Sequence, residues 1–463
     1  MSILDKMLKK ESLDNYIDAD SRLIKSMSAW DLVALGIGAV IGTGIFILPG
    51  TVAATKSGPA IILSFVVAAI VCGLAAMCYA EFSSALPIAG SAYSYGNVVY
   101  GQFIGWILGW ALVLEYMLSV AAVSTGWAAY FNSLISGFGI HMPTALSGAF
   151  DPAHGTYINL VAVLIVLFVA WLLSNGMKTS TRVQNIMVAV KIVIILIFVL
   201  VGLFYVKPAN WHPFFPYKGG VLAGASAVFF AFLGFDVVAA SAAEVKNPKR
   251  NMPIGIIGTL IVASILYIAV SVVLTGLVSY KRLNVADPVA FALQQVGQNW
   301  GAALVSIGAL AGMFTMMLAM IYSSSRLVYS IGRDGLLPKW LGNVNKKSGN
   351  PTASLTTVTV LIAIMAGLVP LEQLTNLVNI GTLIAFTFVS FGVIPLRRRK
   401  DINHTDGFRV PWYPVLPIIS GLACMLLLFR LPLETWVASL IWFAFGMLIY
   451  FGYGIRHSKL VNN

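Results

Sequence analysis

Long continuous apolar runs, separated by short polar and charged stretches, fill the chain from residue 30 to residue 455. A helix needs about 20 apolar residues to cross the hydrocarbon core of a membrane, and only helices and closed barrels satisfy their own backbone there. The runs do not alternate, so they predict an all-α polytopic membrane protein rather than a barrel. Twelve spans are expected, at 30–55, 60–85, 102–131, 157–175, 183–206, 220–244, 253–278, 301–330, 354–370, 374–395, 413–431 and 434–455. Residues 1–29 carry mixed charge and no apolar core, which predicts a cytoplasmic segment rather than a cleavable signal peptide.

Charge gives the spans a direction. With the N-terminus inside, 22 Lys and Arg residues fall on the inner side and six on the outer side, Lys191 lying within a span. The positive-inside rule then places both termini in the cytoplasm, and the expected location is the plasma membrane. Only 10% of residues are charged and 59% are hydrophobic, against roughly 25% charged in soluble domains. A soluble enzyme and a disordered chain are excluded. The net charge of +12 is dispersed between apolar runs, so nucleic acid is not an expected partner. Cys72, Cys78 and Cys424 all fall inside apolar runs, which implies no disulfide framework and leaves the redox compartment open.

Two of the spans do not read as continuous helices. The first holds Gly36, Gly38, Gly42 and Gly44 within nine residues, followed by Pro49, and each interior glycine costs about 1 kcal/mol relative to alanine. A dinucleotide loop is excluded by the spacing and the absence of a preceding strand. Either the glycines let helices pack closely, or the helix breaks around Val40 to Gly44 and exposes backbone groups to a ligand. The sixth span has a counterpart in FFAFLGFD at 229–236. Matching breaks five spans apart are the signature of two inverted five-helix repeats, expected here at 30–206 and 207–396, with helices 11–12 and a cytoplasmic tail at 397–463.

The motifs GAVIGTGIF (38–46), LPIAGSAYSY (86–95), GWALVLEY (109–116), FFAFLGFD (229–236) and AEVKNPKR (243–250) resemble the amino acid–polyamine–organocation superfamily. Within it they are most similar to bacterial members of the cationic amino acid transporter family, over residues from about 28 to the last span. The resemblance implies the leucine-transporter fold with discontinuous helices 1 and 6, and secondary active transport of amino acids by alternating access. Cationic and small neutral amino acids are both implied as substrates. Uptake or exchange, the preferred amino acid, accessory lipids and the oligomeric state are not readable.

A zwitterion at mid-membrane needs both charges met without ionised side chains. Amides of Thr43 and Gly44 at a new helix N-terminus suit the carboxylate, Gly42 and Gly44 permitting close approach. Carbonyls of Val40, Ile41, Phe230, Ala231 and Leu233 suit the ammonium. Phe232 is either a gate over the ligand or ordinary packing. In the eighth span Met313, Met317, Met320 and Ser324 share a stripe, with Met320 either pocket wall or core.

Lys191 is the deepest cation, nine residues beyond Arg182 in an apolar run. An intramembrane ionisable group is a functional candidate by default, and desolvation disfavours a charged ammonium. The resemblance implies that it replaces a sodium ion beside the carbonyls of Gly38 and Ile41 and the hydroxyls of Ser323 and Ser324, making the proton the coupling ion. Otherwise it is a permanent brace. Glu115 would serve a cationic substrate, a proton or a neighbouring helix, and Asp236 and Glu244 are read as gate or helix-end contacts. No cofactor or metal is expected, and the partners are an amino acid and membrane lipid. The five histidines lie in loops or tails and no HExxH occurs, which argues against an enzyme, and no filter or charged ring suggests a channel.

Overall fold

The computed structural model describes residues 3–11, 25–88, 90–175, 181–345, 351–399, 402 and 407–459. Parts of the expected N-terminal segment, the 176–182 loop and the C-terminal tail lie outside the described residues. Among those described, regular structure is entirely helical, apart from isolated bridges such as Met27 with Val245.

In chain order the helices are α1 (Ile3–Leu8), α2 (Ala29–Val40), α3 (Thr43–Phe46), α4 (Leu48–Val52), α5 (Ile61–Ala85), α6 (Ser91–Val99), α7 (Gln102–Ser136), α8 (Leu160–Ser174) and α9 (Thr181–Leu203). They continue with α10 (Gly220–Val228), α11 (Phe235–Ala240), α12 (Pro248–Leu277), α13 (Pro288–Gln295), α14 (Asn299–Arg333), α15 (Thr352–Leu368), α16 (Leu371–Arg398), α17 (Val415–Leu428) and α18 (Leu433–Ile449). Among the described residues eight helical segments are long and apolar enough to cross a membrane, and α2, α8, α15 and α17 are shorter apolar helices at the remaining expected positions. The buried helices α6 and α13, each too short to span, were not anticipated.

α2 starts at a capping box. The Ser28 hydroxyl accepts from Asp31 N at 3.3 Å, and the Asp31 carboxylate accepts from Ser28 N at 2.9 Å, filling two of the orphan groups of a helix start. It ends at Val40 because Ile41 is extended (φ −83°, ψ 101°), and the helix resumes at Thr43 after Gly42 (φ −141°, ψ −134°). The second break follows α10. Residues Phe229–Phe232 form a 3₁₀ turn, Leu233 is extended, and Gly234 takes φ +115° before α11. A side chain at Gly234 would be doubly excluded, since a Cβ would also lie 2.9 Å from the Ala39 carbonyl.

The 35-residue helices α7 and α14 pack against each other. α12 lies against α2 and α5, and α9 against α2 and α14. Both ends of the described chain reach one face of the bundle. Gln102 N donates to Lys9 O near the start, and Lys459 N donates to Asp334 O near the finish. On that face Arg397 holds Glu81 by two hydrogen bonds of 2.6 and 2.7 Å and stacks on Tyr413, tying α16 to α5.

Candidate functional site

The two helix breaks meet. A Cβ on Gly44 would lie 2.6 Å from Ala231 Cα, so the start of α3 rests directly on the 3₁₀ turn. The buried Tyr267 hydroxyl, from α12, lies 2.6 Å from the Ala231 carbonyl and 3.0 Å from the Val40 carbonyl. One phenolic proton thus bridges one carbonyl from each break. Its ring also packs edge-on against Phe232, centroids 5.2 Å apart, with Phe65 completing the cluster. Phe232 is accordingly packed in this conformation. The part played by Tyr267 is not legible in the sequence, because a single tyrosine in an apolar run reads as packing. Tyr267→Phe is expected to leave the fold intact and to weaken substrate binding about tenfold, the equivalent of one or two lost hydrogen bonds. Binding titration beside a detergent melting curve checks this, and unchanged affinity would make the bridge incidental.

Thr43 and Gly44 are the first residues of α3, and the leading N–H groups of a helix have no partner within it. The Thr43 hydroxyl is buried without a hydrogen-bond partner among the described residues. On the acceptor side, four of the five carbonyls expected to receive an ammonium already accept a hydrogen bond in this structure. Val40 and Ala231 accept from Tyr267, Ile41 from Lys191, and Phe230 from Leu233 N at 3.2 Å. A carbonyl has a second lone pair, so a ligand would share these acceptors.

Beside the first break, a Cβ on Gly42 would meet Met316 Sδ at 2.3 Å and Val123 at 3.6 Å. Met316 was missed by the sequence stripe, which passes through Met313, Met317 and Met320. Met320 lies one turn beyond Met316 on the same face of α14 and is buried, as are Met313 and Met317. The wall near Gly42 is therefore thioether and aliphatic.

Lys191 Nζ donates to Ile41 O at 2.9 Å and to Gly38 O at 3.2 Å, and the residue is 1% exposed. Its stem lies on Gly312 of α14, whose missing Cβ would sit 2.9 Å from Lys191 Cε. The serines expected beside it are elsewhere. Ser323 and Ser324 follow Gly312 by eleven and twelve residues, about 17 Å along the helix. Ser323 lines a separate cavity, and the Ser324 hydroxyl is buried without a hydrogen-bond partner among the described residues.

Glu115 and Asp236 form a second buried polar centre. The Tyr116 hydroxyl donates to Asp236 at 2.5 Å, so Asp236, read as a gate or helix-end contact, is buried in the first turn of α11 and Tyr116 is more than packing. Glu115 faces Asp236 and Thr382, yet neither carboxylate oxygen has a hydrogen-bond partner among the described residues. Glu244 lies apart, half-buried on the wall of a cavity of about 390 Å³ that Leu112, Tyr116, Val237, Tyr322, Ser323 and Arg326 also line.

A family model described as amino acid permease matches residues 27–453. The chain is 48% identical over 461 residues to the methylthioribose transporter of Bacillus subtilis (strain 168), covering 99% of this chain and 100% of that protein. It is 45% identical over 461 residues to the branched-chain amino acid permease BcaP of the same organism, covering 98% and 99%. Similarity extends to the vacuolar cationic amino acid transporter 4 of Arabidopsis thaliana, 37% identical over 405 residues, with 85% and 67% covered.

Proposed function

The chain belongs to the amino acid permease family, and on that premise we propose that it is a proton-coupled symporter of neutral amino acids with apolar side chains. Its relatives are transporters and permeases, and the chain is a membrane transporter, not an enzyme. In this reading twelve helices cross the plasma membrane in the leucine-transporter arrangement, with both termini cytoplasmic. The surplus of 22 inner over six outer basic residues supports that orientation, as do two chain ends on one face. Alternating access would move the α3 and α11 halves of the broken helices past the rest of the bundle.

The observation that carries the substrate class is the wall of Met316 and Val123 beside Gly42, which the buried Met320 would extend one turn along α14. Burying a lysine or arginine side chain against thioethers leaves its charge unpaired. Of the cationic and small neutral substrates expected from sequence, the wall favours neutral ones, as does the likeness to a branched-chain amino acid permease. Competition against labelled leucine in proteoliposomes tests this. Isoleucine and valine should compete at least about tenfold better than arginine, the discrimination worth about 1.4 kcal/mol, and the reverse order would overturn the assignment. The relative at 48% identity motivates a second reading, an uncharged methylthio sugar. Parallel uptake of labelled methylthioribose separates the two, since it would then accumulate where leucine does not.

Met320 provides a further check. Met320→Ser should open room along the wall and raise competition by arginine and lysine relative to leucine by about tenfold, within the range expected for removing apolar contact. An unchanged specificity profile would return Met320 to the core.

A further inference from the structure

The 390 Å³ cavity lies on the α11 side of the second break, where Val237 on its wall donates to Gly234 O at 3.1 Å, on the face of the bundle that carries both chain ends. Its volume falls in the range of about 300–1,000 Å³ typical of small-molecule sites. The inner end is formed by Leu112 and Tyr116 of α7. These precede Val123, which flanks Gly42, by eleven and seven residues, or about 16 and 10 Å along the helix. Arg326 and Glu244 both lie on the wall. Among the described residues neither has an ion-pair partner, whereas the other lining arginine, Arg333, is held by Asp334 at 3.3 Å. The Arg326 guanidinium rests 4.4 Å from the Tyr322 ring centroid. One cation and one anion, neither ion-paired among the described residues, therefore lie on the wall of one cavity, with Leu112, Val237 and Leu327 as apolar lining.

We propose that this cavity is a second, release-side site for a zwitterionic amino acid. Arg326 would hold its carboxylate, Glu244 its ammonium, and the apolar lining its side chain. A guanidinium binds a carboxylate through two parallel hydrogen bonds, and stacking on Tyr322 pre-orients it. Both charges sit near water, so the site is weak compared with the desolvated helix breaks. A substrate leaving the breaks would pause here, and substrate accumulating on this side would fill the site and slow further release. The inference rests on the amino acid reading of the central site.

Equilibrium binding of radiolabelled leucine to the full-length protein in lipid nanodiscs tests it. Wild type should titrate in two phases and saturate near two leucines per chain. Arg326→Gln and Glu244→Gln should each lose the weaker phase and saturate near one, with the tighter affinity unchanged. Leucinamide, which lacks the carboxylate, should fail to displace the weak phase in wild type. The exchanged pair Arg326→Glu with Glu244→Arg should restore it, which guards against a variant that has merely lost its local structure. Saturation at one leucine per chain in wild type, or two phases surviving in both single variants, would overturn the second site while leaving the central one standing. No leucine binding in either phase would overturn both.

Discussion

Gly44→Val is expected to abolish substrate binding while the protein remains folded in detergent. The sequence suggested that a bulky residue would screen the amides of Thr43 and Gly44, and the structure supplies a stronger reason. Even the first carbon of a side chain would sit 2.6 Å from Ala231 Cα and 2.7 Å from Ala231 Cβ, closer than non-bonded carbons approach. The obstacle includes backbone, which cannot rotate out of the way. The two breaks must therefore separate, pulling Val40 and Ala231 away from the single hydroxyl that joins them. Amides and carbonyls that face one ligand lose their common geometry, and a displacement of about 1 Å at such a site is enough to cost a hundredfold. Gly44→Ala should already impair binding severely, which distinguishes the contact with Ala231 from simple occlusion by a large side chain. The measurement is ligand-induced thermal stabilisation together with direct binding. A folded Gly44→Val protein with wild-type affinity would place the carboxylate site elsewhere.

Much of the architecture is legible because membrane helices are written in continuous apolar runs, and the interruptions stand out against them. Gly42 in one run and Gly234 in another mark places where the backbone departs from helix, and Gly234 requires a positive φ that other residues avoid. Side-chain partners across helices are less legible, since they depend on register between segments far apart in sequence. Lys191 points at Gly312, and placing Ser323 and Ser324 beside it amounts to a slip of three turns along α14. The methionine stripe shows the same limit. Four buried methionines lie within eight residues of α14, and only the depth of α3 relative to α14 decides that Met316 is the one against Gly42.

Polar residues that serve other polar residues are the hardest to read. Tyr267 and Tyr116 look like any aromatic in an apolar run until the carbonyls of Val40 and Ala231, or the carboxylate of Asp236, are found within reach. Asp236 sits at the start of α11, where an acidic residue is expected for helix-dipole reasons alone. Its burial beside Glu115 follows from the packing of α11 against α5 and α6, which no local pattern encodes.

Lys191→Ala is expected to end pH-gradient-driven accumulation while leaving measurable substrate binding. In the proposed cycle the protonated ammonium donates to the carbonyls of Gly38 and Ile41 at 3.2 and 2.9 Å while its stem fills the space over Gly312, so it couples α9 to the last turn of α2 and to α14. Hydrogen bonds from a charged donor contribute about 1.5–3 kcal/mol each. Loss of the proton weakens both at once, which is enough to shift a two-state equilibrium between outward and inward forms by one or more orders of magnitude. Lower external pH therefore favours the protonated, braced form on the outside, and transport should rise as external pH falls, without sodium. Alanine removes the titrating group and leaves two buried carbonyls and a void over Gly312, so some loss of stability is expected in addition. The gradient response separates the two effects: uptake into proteoliposomes should be the same with and without an imposed pH gradient in Lys191→Ala, and several-fold greater with it in wild type. Glu115→Gln is the necessary companion, because its buried carboxylate, with no hydrogen-bond partner among the described residues, is the rival proton carrier. Retained gradient-driven accumulation in Lys191→Ala, together with its loss in Glu115→Gln, would make the lysine a brace and move the coupling proton to the carboxylates.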